Sequence, residues 1–366
     1  MLDRFLTGFY LTQSTVGLLS RAVPQLGNYA LDVPSGSAIA PSLSYIAFKL
    51  ALPWVPRSLE RRAMWRFLTS FDLAVAKRLR MLGSDVLVGY EYSSAESFRE
   101  ARRLGWSTVL EASSVHYSYQ LAALQGTPMG AQISATIPRK QLEIDLADRI
   151  VVLSSFAKET FVRAGVHEER IVTIAPYVSP IASPPRQERR QADGQSVHFL
   201  YAGNLDHHKG IDLLLGAFES LPATKKHLRI VGGQLASTPP NVEAFSRVPR
   251  SQLGQHYAWA DYLVLPSRFD GYGFVVAEAL MMGIPVIVSS AVGAADLVEP
   301  GKNGWVFRSG DGDSLRTAML EAASSLGEWQ LMSRNALASA AIVSRRQYGD
   351  RVGAAYGALA SARGCP

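Results

Sequence analysis

The stretch SRFDGYGFVVAEALMMGIPVIVSS, residues 267–290, decides how the chain folds. It is preceded by DYLVLPS (261–267), a short apolar run of strand composition. Within it, VVAEALMMG reads as a helix and IPVIVSS (284–290) as the next strand. Buried strand, helix and buried strand in succession predict a parallel sheet covered by helices. SRFDGYG is then a strand-to-helix loop at the carboxyl edge of that sheet. Two acids, Asp270 and Glu278, bracket it with seven residues between them.

The same alternation extends in both directions. VHFLYAG (197–203), HLRIVGG (227–233) and NGWVF (303–307) read as further strands. IDLLLGAFESL, SQLGQHYAWA and DSLRTAMLEAASSL read as helices between or after them. Earlier, DVLVGY (85–90), STVLEAS (107–113) and DRIVVLSS (148–155) give a second set of strands with helix-like ESFREARRLG among them. YVSPIASPPRQERRQADGQS (177–196) breaks the pattern with Pro, Arg and Gln, as a linker does. We therefore expect an α/β chain of two Rossmann-like, doubly wound domains. The first covers 1–178, the linker 179–196 and the second 197–340. A C-terminal helix within 341–366 is expected to pack back toward the first domain. Two such domains leave a cleft between the carboxyl ends of their strands, where ligands of open α/β sheets bind.

Composition narrows the chemistry. Of 366 residues, 48% are hydrophobic, enough for sizeable cores. The formal net charge of +6 suits an anionic ligand or an acidic membrane surface. Cys365 stands alone, which excludes a disulfide framework or a Cys metal site and fits a cytoplasmic compartment. No apolar run reaches the roughly 18 residues of a spanning helix. The start, MLDRFLTGFYLTQSTVGLL, is interrupted by Asp3, Arg4 and Gln13 and reads as an amphipathic helix.

Two loops carry the candidate site. Gly271 and Gly273 let the backbone turn sharply and approach a ligand closely. The helix start beyond them offers free N–H donors and a partial positive charge, which attract phosphate. Glu278 and Asp270 can accept hydrogen bonds from sugar hydroxyls. The bland alternative makes Asp270 a helix cap and Glu278 a complement to the helix dipole. YAGNLDHHKGIDLLLGAF (201–218) repeats strand, glycine loop and helix, with Lys209 a point charge suited to phosphate.

With GNLDHHKG, PSRFDGYGFVVAEALMMGIPVI and VGAADLVEPGKNGWVF in this order, the chain resembles the family 4 glycosyltransferases of GT-B fold from about residue 80 onward. The resemblance implies a retaining transferase that moves a hexose from a nucleotide-sugar to a surface-glycan or lipid-linked acceptor by front-face attack. It implies that Asp270 and the backbone of Gly273 and Phe274 hold the donor sugar, with Glu278 on the ribose. Lys209, beside Gly203 and Asn204, would hold the diphosphate, and His116, in the loop after STVLEAS, would contact the sugar. Asp270 stands where the family usually has glutamate. Asn204 stands where it usually has arginine, removing one positive charge. The chain's start resembles sequence lying after the family's first strand and glycine loop, so one sheet edge is expected to be unpaired.

Other features take blander readings. His207 and His208 are adjacent and point apart, so they are read as loop residues. Asp311 and Asp313 of DGD read as a turn and cap. Neither makes a metal site, and no metal or other cofactor is expected. Glu143 and Asp148 are expected to pair with Arg139 and Arg149. RSLERRAMWRF (57–67), with Lys77, Arg78 and Arg80 and with Trp54, Trp65 and Phe67 interleaved, suits either a solvated helix face or anionic lipid on the inner face of a plasma membrane. Nucleic-acid binding is not expected, since no recognition motif accompanies the charge. A dinucleotide oxidoreductase is disfavoured because no strand precedes a full Gly-x-Gly-x-x-Gly. A GT-B epimerase or hydrolase, and a non-catalytic nucleotide-sugar binder, are the alternatives. Consumption of sugar nucleotide without acceptor would mark the former, and binding without turnover the latter.

Overall fold

A computed structural model describes residues 5–6, 38–39, 57–182, 196–222 and 226–361. The expected amphipathic start lies outside these, except that Phe5–Leu6 (β1) is a strand paired in parallel with Ala38–Ile39 (β2). Trp54 and most of the linker candidate, residues 183–195, also lie outside them.

The chain divides into two compact units. One comprises residues 1–112, 135–151 and 353–366, the other residues 113–134 and 152–352. The boundaries fall inside a strand (Arg149–Val152) and inside the C-terminal helix Arg345–Ser361, not only in loops.

In the first unit β3 (Val86–Tyr90) pairs in parallel with β4 (Ser107–Ala112). β5 (Arg149–Val152) extends this sheet, and β6 (Ile171–Thr173) falls among the residues of the second unit. β3 is its edge, and Val88 and Tyr90 on it are exposed. Helix Arg57–Leu79 carries the basic stretch foreseen from sequence. Its aromatic residues are engaged within the unit: Trp65 meets Tyr92 edge to face at 5.4 Å, and Phe67 stacks on Phe71. Asp72, on the same helix and fully buried, accepts the N–H groups of Glu96 and Ser97 at the start of helix Ala95–Arg103. Arg139 closes this network, reaching Asp72 at 2.5 Å and Glu143 at 3.4 Å. The expected Glu143–Arg139 pair is therefore present. Asp148 instead faces Arg102 at 3.8 Å and accepts the Thr108 N–H, while Arg149 donates to the Asp148 main-chain carbonyl.

The second unit holds a six-stranded sheet: β7 (Val197–Ala202), β8 (Lys226–Val231), β9 (Val242–Phe245), β10 (Tyr262–Leu265), β11 (Val286–Ser289) and β12 (Gly304–Phe307). All its pairings are parallel, in the order β12-β11-β10-β7-β8-β9. Every residue of β10 and β11 is buried, as expected of parallel strands covered on both faces. Phe199, Phe218, Tyr257 and Tyr262 fill the core around them. Burying side chains of this size contributes about 1.5–3 kcal/mol each. β9 was not foreseen from sequence: VEAF is short and only Val242 in it is buried.

This order reverses direction between β7 and β10, the topological switch point of a doubly wound sheet. Parallel strands bring their carboxyl ends to one edge, so the loops after β7 and β10 lie side by side there. These are the two glycine loops singled out above.

Candidate functional site

The loop after β10 ends on Gly273, whose φ of 84° is left-handed. A side chain there would also bring its Cβ to 2.5 Å from Val292 Cγ1. Glycine is required twice over, by backbone and by space. Gly273 caps helix Phe274–Met281, whose first residue, Phe274, is 47% exposed, while the Val276 N–H donates to the Gly273 carbonyl at 2.9 Å. Gly271 serves differently. A Cβ there would come within 2.4 Å of the Ser113 carbonyl, so its loop is packed directly against residues 113–114. Ser154 Oγ donates to the Gly271 carbonyl at 2.8 Å and holds the same loop from another side.

Asp270 is not a helix cap. Its Oδ1 accepts the Tyr272 N–H at 3.2 Å, and its Oδ2 accepts from Lys209 Nζ at 2.6 Å. The pair joins the β7 loop to the β10 loop across the switch point, with each side chain about one-fifth exposed. Lys209 closes a short turn, His207–Lys209, before Gly210 and helix Ile211–Glu219. Burial and the neighbouring Lys209 charge hold the His208 imidazole below its ordinary range, and its ring stacks on Phe269.

Glu278 lies in the body of its helix, not at its mouth, and is buried. Tyr257 donates to its Oε2 at 2.9 Å and Arg250 to its Oε1 at 2.6 Å. Burial, then the adjacent carboxylate, raises the Tyr257 hydroxyl pKa, so it stays a donor. The dipole-complement reading of Glu278 fails on position alone. Arg250 and Tyr257 were missed by sequence reasoning; they belong to helix Arg250–Trp259, and no motif ties them to Glu278.

His116 is 4% exposed and caps helix Tyr117–Ala123. Its Nδ1 accepts the Ser118 N–H, and its ring packs on Tyr117 and Phe161. It follows the segment that lies against Gly271, and Tyr119 beyond it meets Phe269 edge to face. His116 and Asp270 thus belong to one compact unit, not to opposite domains as the sequence suggested. Gly203 follows β7 directly. Beside it, exposed Asn204 accepts from Arg247 at 2.8 Å through Oδ1, and its carbonyl accepts from the Tyr201 hydroxyl. Asp311 caps helix Gly312–Ser324 by accepting the Ser314 N–H, as the turn-and-cap reading expected. Among the described residues no group of three or more His, Cys, Asp or Glu could hold a metal ion, and no helix is long and apolar enough to cross a membrane.

Residues 196–325, essentially this sheet and its helices, match the family described as glycosyl transferases group 1. The chain is 27% identical over 183 residues to a lipopolysaccharide 1,6-galactosyltransferase of Escherichia coli K12, covering 46% of this chain and 50% of that one. It spans about half the length of the curated relatives it matches. Among solved structures, sucrose-phosphate synthase from Thermosynechococcus elongatus superposes with a TM-score of 0.65 at 19% identity, over 84% of this chain and 81% of that one. HepE of Anabaena, solved with UDP and glucose, gives 0.58 at 18% identity, over 80% and 82%. At such identities the superpositions speak for fold. The chain has the fold of the GT-B glycosyltransferases, and its 196–325 segment is similar to the group 1 glycosyl transferases.

Proposed function

We propose that the chain is a retaining glycosyltransferase that moves a hexose from a nucleoside-diphosphate sugar to a glycan or lipid-linked acceptor. The observation that carries this is the Lys209–Asp270 pair across the switch point, beside a helix start opened by Gly273. A cation and a helix N-terminus suit a diphosphate. A carboxylate next to them suits the hydroxyls of the attached sugar. That a similar fold was solved with UDP and glucose supports the same donor chemistry here.

In this reading the donor's phosphates take Lys209 from Asp270, and the backbone of Gly203, Asn204, Gly273 and Phe274 lines the diphosphate and sugar. Asp270, released, accepts from the sugar. Glu278 accepts from the ribose, with Tyr257 fixing Oε2 and exposed Arg250 the partner that yields. His116 shapes the segment lying over Gly271 and reaches the sugar from that side. Departure of the diphosphate concentrates negative charge at Lys209 and the helix start, and preorganised donors there lower the barrier. Retention follows if the leaving phosphate oxygen takes the acceptor's proton on the face it departs from, with no enzyme nucleophile. The acceptor belongs to the cytoplasmic face of the membrane, and the positive net charge favours peripheral contact with anionic lipid there. The chain is proposed to need no cofactor beyond its donor substrate.

Radiolabelled nucleotide-sugars offered with membrane extract should give an acid-stable, labelled glycan or lipid with wild-type protein. Lys209→Ala should lower that rate by at least tenfold, and retained wild-type rate would place the phosphate site elsewhere. Release of free sugar without any acceptor would convert the assignment to a hydrolase.

A further inference from the structure

The loops at the carboxyl edge of the second sheet carry several cations, and most are already neutralised. Lys209 faces Asp270 at 2.6 Å, Arg250 faces Glu278 at 2.6 Å, and Arg268 faces Asp212 at 2.7 Å. Arg308, after β12, faces Asp311 at 3.3 Å. Arg247, two residues after β9, is the exception. Among the described residues its hydrogen-bond partner is the side-chain oxygen of Asn204, a neutral amide, at 2.8 Å.

We infer that Arg247, docked on Asn204, is a second cation of the diphosphate subsite, an inference that rests on the function proposed above. Arginine only donates, so Asn204 must present its oxygen to it, and one N–H is used while the others remain for an anion. An amide orients the guanidinium without cancelling its charge. A carboxylate in the same place would cancel it. The planar fork is suited to two phosphate oxygens at once.

The backbone builds this position. The N–H groups of Gly232 and Gly233, after β8, both donate to the Phe245 carbonyl at the end of β9. A Cβ on Gly232 would lie 2.1 Å from the Gly203 carbonyl, so the β8 loop is pressed against the β7 loop. The buried Tyr201 ring holds the Asn204 carbonyl from beneath, and burial raises its hydroxyl pKa so that it remains a donor. Arg247 thereby reaches the loop that also carries Lys209, although 43 residues separate it from Asn204. A cation thus comes to the Asn204 loop from the segment that follows β9.

Calorimetry with UDP, GDP and ADP, and with the corresponding nucleosides, tests this on the full chain. Wild-type protein should bind one diphosphate; if it binds none, the functional reading falls first. Arg247→Ala should weaken that diphosphate by about tenfold to a hundredfold and leave the nucleoside unchanged. Asn204→Asp keeps an anchor for Arg247 but neutralises it, and should cause a loss of the same size. Arg247 is exposed, so melting temperatures should match wild type. Lost affinity in Lys209→Ala with wild-type affinity in Arg247→Ala would overturn the inference while sparing the proposed function. Equal weakening of nucleoside and diphosphate, or an Asn204→Asp variant that binds like wild type, would overturn it too.

Discussion

At Glu278 one carboxylate answers two demands. It closes a buried hydrogen bond from Tyr257, and in the proposed reading it receives the ribose. A cleft-facing carboxylate could be removed at little cost to folding, but this one is buried. Glu278→Ala leaves the Tyr257 hydroxyl only the Val275 carbonyl, at 3.4 Å, and should lower stability by about 1–3 kcal/mol, besides weakening nucleoside-diphosphate binding. Glu278→Gln keeps an acceptor for Tyr257, so denaturant titration should show most of the stability restored while calorimetry still shows weakened binding. If both variants bind nucleotide like wild type, Glu278 is a core residue only. Asp270 and Lys209 should part company in the same assays. Asp270→Ala removes the resting partner of Lys209, so free diphosphate should bind at least as tightly as before while turnover falls. Lys209→Ala should lose both. A loss of nucleotide in Asp270→Ala as severe as in Glu278→Ala would refute this division of roles.

Elements obey a harder geometry, and the helix start at Gly273 is the sharpest case. Gly273→Ala combines a left-handed φ with a Cβ at 2.5 Å from Val292, whereas Gly301, with φ 77°, has nothing within 4 Å of its virtual Cβ. Gly301→Ala should therefore cost only the backbone term, about 1–2 kcal/mol, and Gly273→Ala clearly more. Chemical denaturation of the two variants reads the difference directly; equal losses would mean that Val292 simply moves. The strand-loop-helix sequence around Gly273 was legible because periodicity and turn residues are local. The sheet's parallel sense and the two site loops followed from that. What escaped reading is long-range. The packing of Gly271 against Ser113 and the Arg250–Glu278 pair join residues far apart in the chain. β6 escaped because three residues carry too little pattern, and β9 because only one of its four is buried. His116 was recognisable as a loop histidine, but its capping of the next helix depends on a backbone angle that no local pattern announces.

Across the whole chain the two units should respond to acid in opposite senses. In the first, burial pushes the Glu143 carboxyl up to about 6, despite the Tyr92 and Ser94 N–H groups and Arg139 beside it. A carboxyl raised above its unfolded value stabilises the fold below about pH 4.5, and that contribution, about 2 kcal/mol, is lost as pH rises through 6. In the second, burial lowers the His208 and His256 pKa values. The unfolded chain then takes up those protons more readily, so stability falls as pH drops through about 6.5. Between pH 7 and 5, hydrogen exchange corrected for intrinsic rate should show protection rising around Glu143 and falling around His208 and His256. Glu143→Gln should flatten the first trend; a slope that persists in it would assign the titration to another group. The register of β10 on β7 has a different kind of consequence. Tyr262 is paired with Phe199 and Leu263 with Leu200, and these rungs set where the two site loops begin. A ladder of this kind is a ruler graduated in whole residues. One inserted or deleted residue would slide a loop by about 3.3 Å and turn its side chains to the opposite face. Over generations the segments 199–209 and 262–270 should hold their lengths, while chain length drifts elsewhere.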